Sequence, residues 1–317
     1  MQANMGVAGE FRVVVKRADG STKIDTGYQK NLILNQGLDF FGGGKGDRLA
    51  EYCFIGGGNS QPIQTQNSLD TPVGFARKLS FTSQTAYNSA DGNLYKTNVT
   101  GRFDFSNLNN VNIAEIGLAS KAPSLSDYYL CTRALIKDSK GLPTTITVLP
   151  GELLSVYYKI WFVFDLTDKT GAINLLDGVG GKIALNYKTR PAAVGSSQYY
   201  SDFHLLSPVD ILTAYNDSIH ASASDLNASN TSGNWGVKCT RSTPSPYITG
   251  SYKRNIEALF DINTANQLIR KINVITTMGS YQIRFGSVAD DSPINKTSTQ
   301  TLTIPIEFSW GRYEGAL

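Results

Sequence analysis

The chain has 317 residues, enough for two domains with cores of their own. Hydrophobic residues make up 41% and charged residues only 17%, below the ~25% usual for soluble domains, so its polar surface must come from Ser, Thr, Asn, Gln and Gly. A net charge of +3 with no run of basic residues argues against nucleic-acid binding, and no apolar run approaches the ~20 residues of a membrane-spanning helix.

The opening MQANMGVAGEFRVVV lacks the basic, apolar and small-residue order of a signal peptide, so synthesis in a cytoplasm without export by the usual route is expected. FRVVVKRADGSTKIDTG reads as two extended runs joined at Asp19-Gly20, a hairpin signal. In NLILNQGLDFF, Asn35 is expected to cap a short helix that ends at Gly42, Gly43 and Gly44. YCFIGGGN is a strand running into a glycine turn whose glycines supply positive φ, and a polar loop follows. Strands then recur at ARKLSFTSQTAY, LYKTNVTGRFDFS, IAEIGLAS, CTRALIK and TTITVLPGELLSVYYKIWFVFD. In the last of these, Leu154, Val156, Tyr158, Ile160, Phe162 and Phe164 share one face at a period of two, which means extended backbone. Tyr157, Lys159 and Trp161 must point to the opposite face.

The pattern breaks at LTDKTG, a domain boundary. Beyond it AINLLDGVGGKIALNYKTR reads as a hairpin, and FHLLSPVDILTAYNDSI is the best helical candidate in the chain. Residues Ala221 to Asn234 are small and polar and are expected to form a long surface loop. Strands resume at SYKRNIEALFDIN, LIRKINVITTM, YQIRFG and TLTIPIEFSW. The last carries a second stripe of Leu302, Ile304, Ile306, Phe308 and Trp310, with Thr303, Glu307 and Ser309 opposite. A weak internal repeat matches Phe103-Asp104-Phe105 to Phe260-Asp261-Ile262, and Ile116 to Ile272. Each stripe must be covered, so each half is expected to form its own sheet packed on another layer. The expected fold is all-β with minor α: two tandem antiparallel β-sandwich-like domains, 1–166 and 167–317, with one or two short helices. The second carries the long polar loop near 221–234.

Signs of catalysis are few. Of the two histidines, His204 and His220, neither accompanies a G-x-S-x-G turn or a second ligand. In GGGKGDR, Lys45 is followed by Gly46 and Asp47, so the hydroxyl that a phosphate loop needs for magnesium is missing. Asp290-Asp291 read as a turn, and Glu115 lies in a strand with no second carboxylate marked as its partner. The scattered Cys53, Cys131 and Cys239 suit buried free thiols rather than a disulfide framework or a zinc knuckle. No enzyme activity, metal or cofactor is expected. The outward Tyr157, Lys159 and Trp161 remain as the candidate interface, and three readings of them stay open: a protein contact, a sugar-stacking platform, or a second core layer.

The order of motifs resembles certain tailed-bacteriophage virion proteins. YQKNLILNQGLDFF followed by CFIGGGNSQPIQTQNSLDTP is similar to their opening. The similarity continues through IAEIGLAS and CTRALIKDSKGLPTTITVLPGELLSVYYKIWF to the ending YQIRFGSVADDSPINKTSTQTLTIPIEFSWGR, marked by Phe285, Ile294, Lys296, Thr297 and Phe308 to Arg312. It spans most of the chain apart from about Ser196 to Asn234. The resemblance implies a structural protein of the virion tail, baseplate or neck, assembled as a ring or trimer with itself and with other virion proteins. It brings no catalytic residues. The chain lacks the long repetitive shaft and receptor tip of a full fibre, so a fibre role would be that of an anchoring adaptor. The alternative is a surface module that binds a host-surface glycan.

Overall fold

The alternation in Leu153–Asp165 is what the fold buries: Leu154, Val156, Tyr158, Ile160, Phe162 and Phe164 are each at most 1% exposed. The computed structural model describes residues 1–43, 49, 51–87, 94–120, 125–176, 181–191, 219–226, 235–276 and 279–317. It is predominantly β-sheet with one short helix, so the all-β class with minor helix holds. The largest sheet runs in the order Arg241–Pro244, Lys253–Phe260, Leu302–Arg312, Gln2–Lys16, Leu153–Asp165, Leu94–Phe105, Ser80–Tyr87. Leu302, Ile304, Ile306, Phe308 and Trp310 are buried as their alternation requires.

Both stripes therefore lie in one sheet rather than each closing a sheet of its own. The reason is the N-terminal strand. Each long strand leaves a row of backbone donors and acceptors at one edge, and these need partners. Gln2–Lys16 is long enough to serve both. It pairs parallel with Leu302–Arg312 from Gln2 to Val7 and antiparallel with Leu153–Asp165 from Gly6 to Lys16. Met5, Val7, Phe11, Val13 and Val15 continue the two stripes into a single core cluster.

Two further sheets cover that core. A five-stranded sheet runs Leu32–Ile33, Thr132–Leu135, Glu115–Ala119, Tyr52–Gly56, Pro72–Arg77. A six-stranded sheet runs Lys169–Leu176, Lys182–Pro191, Gly279–Ser287, Lys271–Thr276, Ile219–Ser222, Val237–Lys238.

Strand pairing repeats along the chain. In the first half, Tyr52–Gly56 pairs with Pro72–Arg77, Leu94–Phe105 with Ser80–Tyr87 and Leu153–Asp165, and Val111–Ile113 with Ile146–Val148. Glu115–Ala119 lies between Tyr52–Gly56 and Thr132–Leu135, with Leu32–Ile33 at the edge. In the second half, Ile219–Ser222 pairs with Val237–Lys238, Lys253–Phe260 with Arg241–Pro244 and Leu302–Arg312, and Leu268–Ile269 with Ile294–Asn295. Lys271–Thr276 lies between Ile219–Ser222 and Gly279–Ser287, with Lys182–Pro191 beside the latter. Each strand of one series has its counterpart in the same order in the other. The register also adjusts the repeat read from the sequence. Phe105 lies opposite Leu154 and Phe260 opposite Leu302, so Phe105 rather than Phe103 takes the place of Phe260.

Local expectations fare unevenly. The hairpin at Asp19-Gly20 forms, with Gly20 at φ +82°, and so does the pairing of Lys169–Leu176 with Lys182–Pro191. The short helix is present at Asn35–Asp39, extended by a 3-10 turn over Phe40–Gly42, but Asn35 does not cap it. Leu34 is the cap residue, and the Asn35 side chain instead accepts a 2.6 Å hydrogen bond from Arg312. Ala221 and Ser222, expected to open a loop, belong to the strand Ile219–Ser222, because Ala221 fills the core. The helical candidate at 203–219 falls outside the described residues except Ile219, which is in that strand, as do residues 227–234 of the polar loop and 44–48 of the glycine stretch. Among the described residues no helix is long and apolar enough to cross a membrane.

Candidate interface on the outer face of the large sheet

Antiparallel pairing sets Tyr157 directly between Arg12 on one neighbouring strand and Arg102 on the other. Both guanidinium carbons lie 5.8 Å from the Tyr157 ring centroid, within the range of a cation–π contact. Each arginine is also held by a carboxylate. Arg12 donates from Nε to Asp25 at 2.8 Å and pairs with it through a second nitrogen. Arg102 donates to Asp104 at 2.9 and 2.8 Å, and Ser155 donates to the same carboxylate at 2.7 Å. The Arg12 hydrogen bonds hold the Asp25 carboxyl below its usual range. The result is a row of five side chains, Asp25–Arg12–Tyr157–Arg102–Asp104, with its charges matched inside the row.

Two residues along, Lys159 places its ammonium 3.8 Å from the Tyr28 ring centroid. Trp161, expected on this face, does lie there but is only 9% exposed. Its neighbours across the sheet are Ala8 and Asn98, and its indole N–H donates to Glu10 at 2.9 Å. Of the three candidate interface residues, Tyr157 and Lys159 are thus the accessible ones. Sequence reading missed Arg12, Arg102 and Tyr28. The cross-strand register that brings them to Tyr157 and Lys159 is not visible in a local pattern.

The other chemical candidates separate. His204 lies outside the described residues, and His220 sits in Ile219–Ser222 beside the Trp235 ring. Asp290 and Asp291 belong to an exposed turn, where Asp291 pairs with Arg284. All three cysteines are free and buried, and burial pushes the Cys131 thiol up to about 12 and the Cys53 thiol well above its ordinary value. Among the described residues no group of His, Cys, Asp and Glu could hold a metal ion.

Glu115 has a partner that the sequence did not mark. Its side chain and that of Arg133 are both fully buried, with Nε donating at 2.9 Å and a second guanidinium nitrogen at 2.8 Å. Arg133 also donates to Asp70 at 2.7 Å and to Gln66 at 2.8 Å. The Glu115 carboxylate accepts the backbone N–H groups of Gly58, Asp70 and Thr71 at 3.0, 3.2 and 2.8 Å. This buried pair fastens the glycine-rich loop against the five-stranded sheet. It also corrects the reading of the loop's glycines. Gly56 and Gly58 are not at positive φ; they are needed because a Cβ on either would lie 2.5 Å from a Glu115 oxygen. Burial raises the Asp70 carboxyl, but hydrogen bonds from Ser60 and the Arg133 charge outweigh it and hold the group below its usual range.

Comparison with protein-family models, with curated proteins and with solved structures finds no match to this chain.

Proposed function

We propose that this protein is a structural subunit of a bacteriophage virion, in the tail, baseplate, neck or a fibre-anchoring position. It is made in the host cytoplasm and acts through contacts with copies of itself, in a ring or trimer, and with other virion proteins. Its two halves are read as related sandwich-like modules, 1–166 and 167–317, joined by the shared N-terminal strand, and the repeated strand order supports that reading.

The observation that carries the assembly role is the row Asp25–Arg12–Tyr157–Arg102–Asp104. A tyrosine ring fixed between two arginines on a rigid sheet offers apolar area with little ordering left to lose on contact. Because each arginine already holds a carboxylate, a partner can cover the row without stranding an unpaired charge, the usual obstacle to burying ions. Tyrosine and arginine are also the residue types enriched where protein surfaces meet.

Native mass spectrometry of the purified chain, together with proteomics of the particles, tests the proposal. A defined oligomer that Tyr157→Ala or Lys159→Glu weakens is the expected result. A stable monomer absent from particles would remove the assembly role.

A further inference from the structure

The five side chains of the Tyr157 row stand at two levels along the strands. Arg12, Tyr157 and Arg102 lie directly opposite one another. Two residues further along, Asp25 is opposite Val14, Val14 is opposite Ser155, and Ser155 is opposite Asp104. Residues two apart on a strand share a face, and so do direct cross-strand partners, so both levels point outward. One level carries two guanidinium groups and the next carries two carboxylates, about 7 Å away at the rise of an extended chain. Gln2–Lys16 continues the alternation, with Glu10 beyond the arginine level and Lys16 beyond the carboxylate level.

Such an alternation is complementary to its own reversed copy. A two-fold axis running across the strands, midway between the two levels, turns their order end for end. It brings Arg102 of each copy over Asp104 of the other, Glu10 over Lys16, and Arg12 over Val14, next to Asp25. Tyr157 then lies over the small, buried Ser155. Other placements of the axis oppose like charges. On the arginine level it sets Arg12 over Arg12 and Arg102 over Arg102; on the carboxylate level it sets Asp104 over Asp104. Run along the strands through Tyr157, it sets Arg12 over Arg102. Like charges so placed repel, and the midway axis avoids all of these contacts.

The charged side chains can reach a second copy and still have bonds to give. Arg12 and Arg102 are 38% and 42% exposed, and Asp25 and Asp104 are 37% and 21% exposed. Each guanidinium donates two of its five N–H groups to its own carboxylate and makes no other hydrogen bond among the described residues. Sheets packed face to face lie about 10 Å apart, a gap that an arginine from one side and an aspartate from the other span together. We infer that the outer face of the large sheet is a two-fold contact between two copies of this chain, the arginine level of each lying over the carboxylate level of the other. The inference rests on the assembly role and names the partner of that face. A two-fold contact pairs two copies, or two rings or trimers back to back, so the copy number is even.

Charge reversal, read by native mass spectrometry and sedimentation velocity on the whole chain, tests this. The parent should form an oligomer with an even number of copies. Arg12→Glu/Arg102→Glu makes both levels negative, and Asp25→Lys/Asp104→Lys makes both positive. Each double variant alone should associate at least about tenfold more weakly than the parent. Mixed in equal amounts, the two should recover a mixed oligomer, because every level then meets its opposite. Thermal melts verify folding; if a double variant is unfolded, Lys16→Glu, at an exposed position, carries the comparison by setting a carboxylate over Glu10 of the second copy. The inference is overturned if the folded variants associate as the parent does or if the mixture fails to recover. It is also overturned if the parent forms only an odd-numbered oligomer, or is a monomer that still enters particles; in both of those cases the assembly role stands. A stable monomer absent from particles removes both.

Discussion

Glu115→Gln changes one atom of a fully buried side chain and tests whether this carboxylate holds the glycine-rich loop in place. The amide oxygen can still accept from Gly58 and Thr71, which bond to Oε1. The other position loses its acceptor. There the Asp70 N–H at 3.2 Å and the Arg133 donors at 2.9 and 2.8 Å would meet an amine that also donates. Breaking a buried ion pair from one side typically costs about 3–5 kcal/mol. Asp70 still faces Arg133 at 2.7 Å, which places the expected loss near the lower end, about 3 kcal/mol. At roughly 2–4 °C per kcal/mol, the melting temperature should fall by about 6–12 °C. Hydrogen exchange supplies the local readout: the amides of Gly58, Asp70 and Thr71 should lose protection first. The double variant Glu115→Gln/Arg133→Met removes both charges and should be more stable than the sum of the two single losses predicts. A loss under about 1 kcal/mol with unchanged exchange at those amides would refute the reasoning.

Three further outcomes follow from the same structure. Gly37→Ala should destabilise by about 1–3 kcal/mol in chemical denaturation, because its Cβ would lie 2.1 Å from the Cys131 carbonyl oxygen. None of Cys53, Cys131 and Cys239 should react with a thiol reagent under native conditions, since all are buried, and all three should react in denaturant. Asp25 and Asp168 are held below their usual range chiefly by hydrogen bonds from Arg12 and Arg190. Their folded pKa values lie below the unfolded value of about 3.9, so their contribution is complete above that pH and is lost as pH falls through the folded values. Unfolding curves should therefore coincide at about pH 7 and pH 5.5 and weaken below about pH 4, less steeply in Arg190→Met, which has less of that stabilisation to lose.

The stripes of Leu153–Asp165 and Leu302–Arg312 were legible because alternation is a property of the extended backbone itself: residues two apart share a face whatever the strand pairs with. The hairpin at Asp19-Gly20 was legible for a similar reason, since the turn is made by adjacent residues. The weak match between Phe103-Asp104-Phe105 and Phe260-Asp261-Ile262 pointed to a duplication that the pairing order displays, with a two-residue correction to the alignment. Tyr157 and Lys159 were placed on the outer face by parity alone. Parity also put Trp161 there, but it could not tell that Glu10 and small cross-strand neighbours would leave it covered.

By itself, then, the sequence determined the β class, the two buried stripes, the turn at Gly20 and the burial of the thiols, all of which follow from local geometry and hydrophobicity. Only the tertiary structure decided that Gln2–Lys16 joins both stripes into one sheet, that Glu115 meets Arg133, and that Tyr157 lies between Arg12 and Arg102. Each of these is a relation between residues far apart in the chain. It is set by which strand edges find partners and which buried polar groups find each other, and no window of neighbouring residues contains that information.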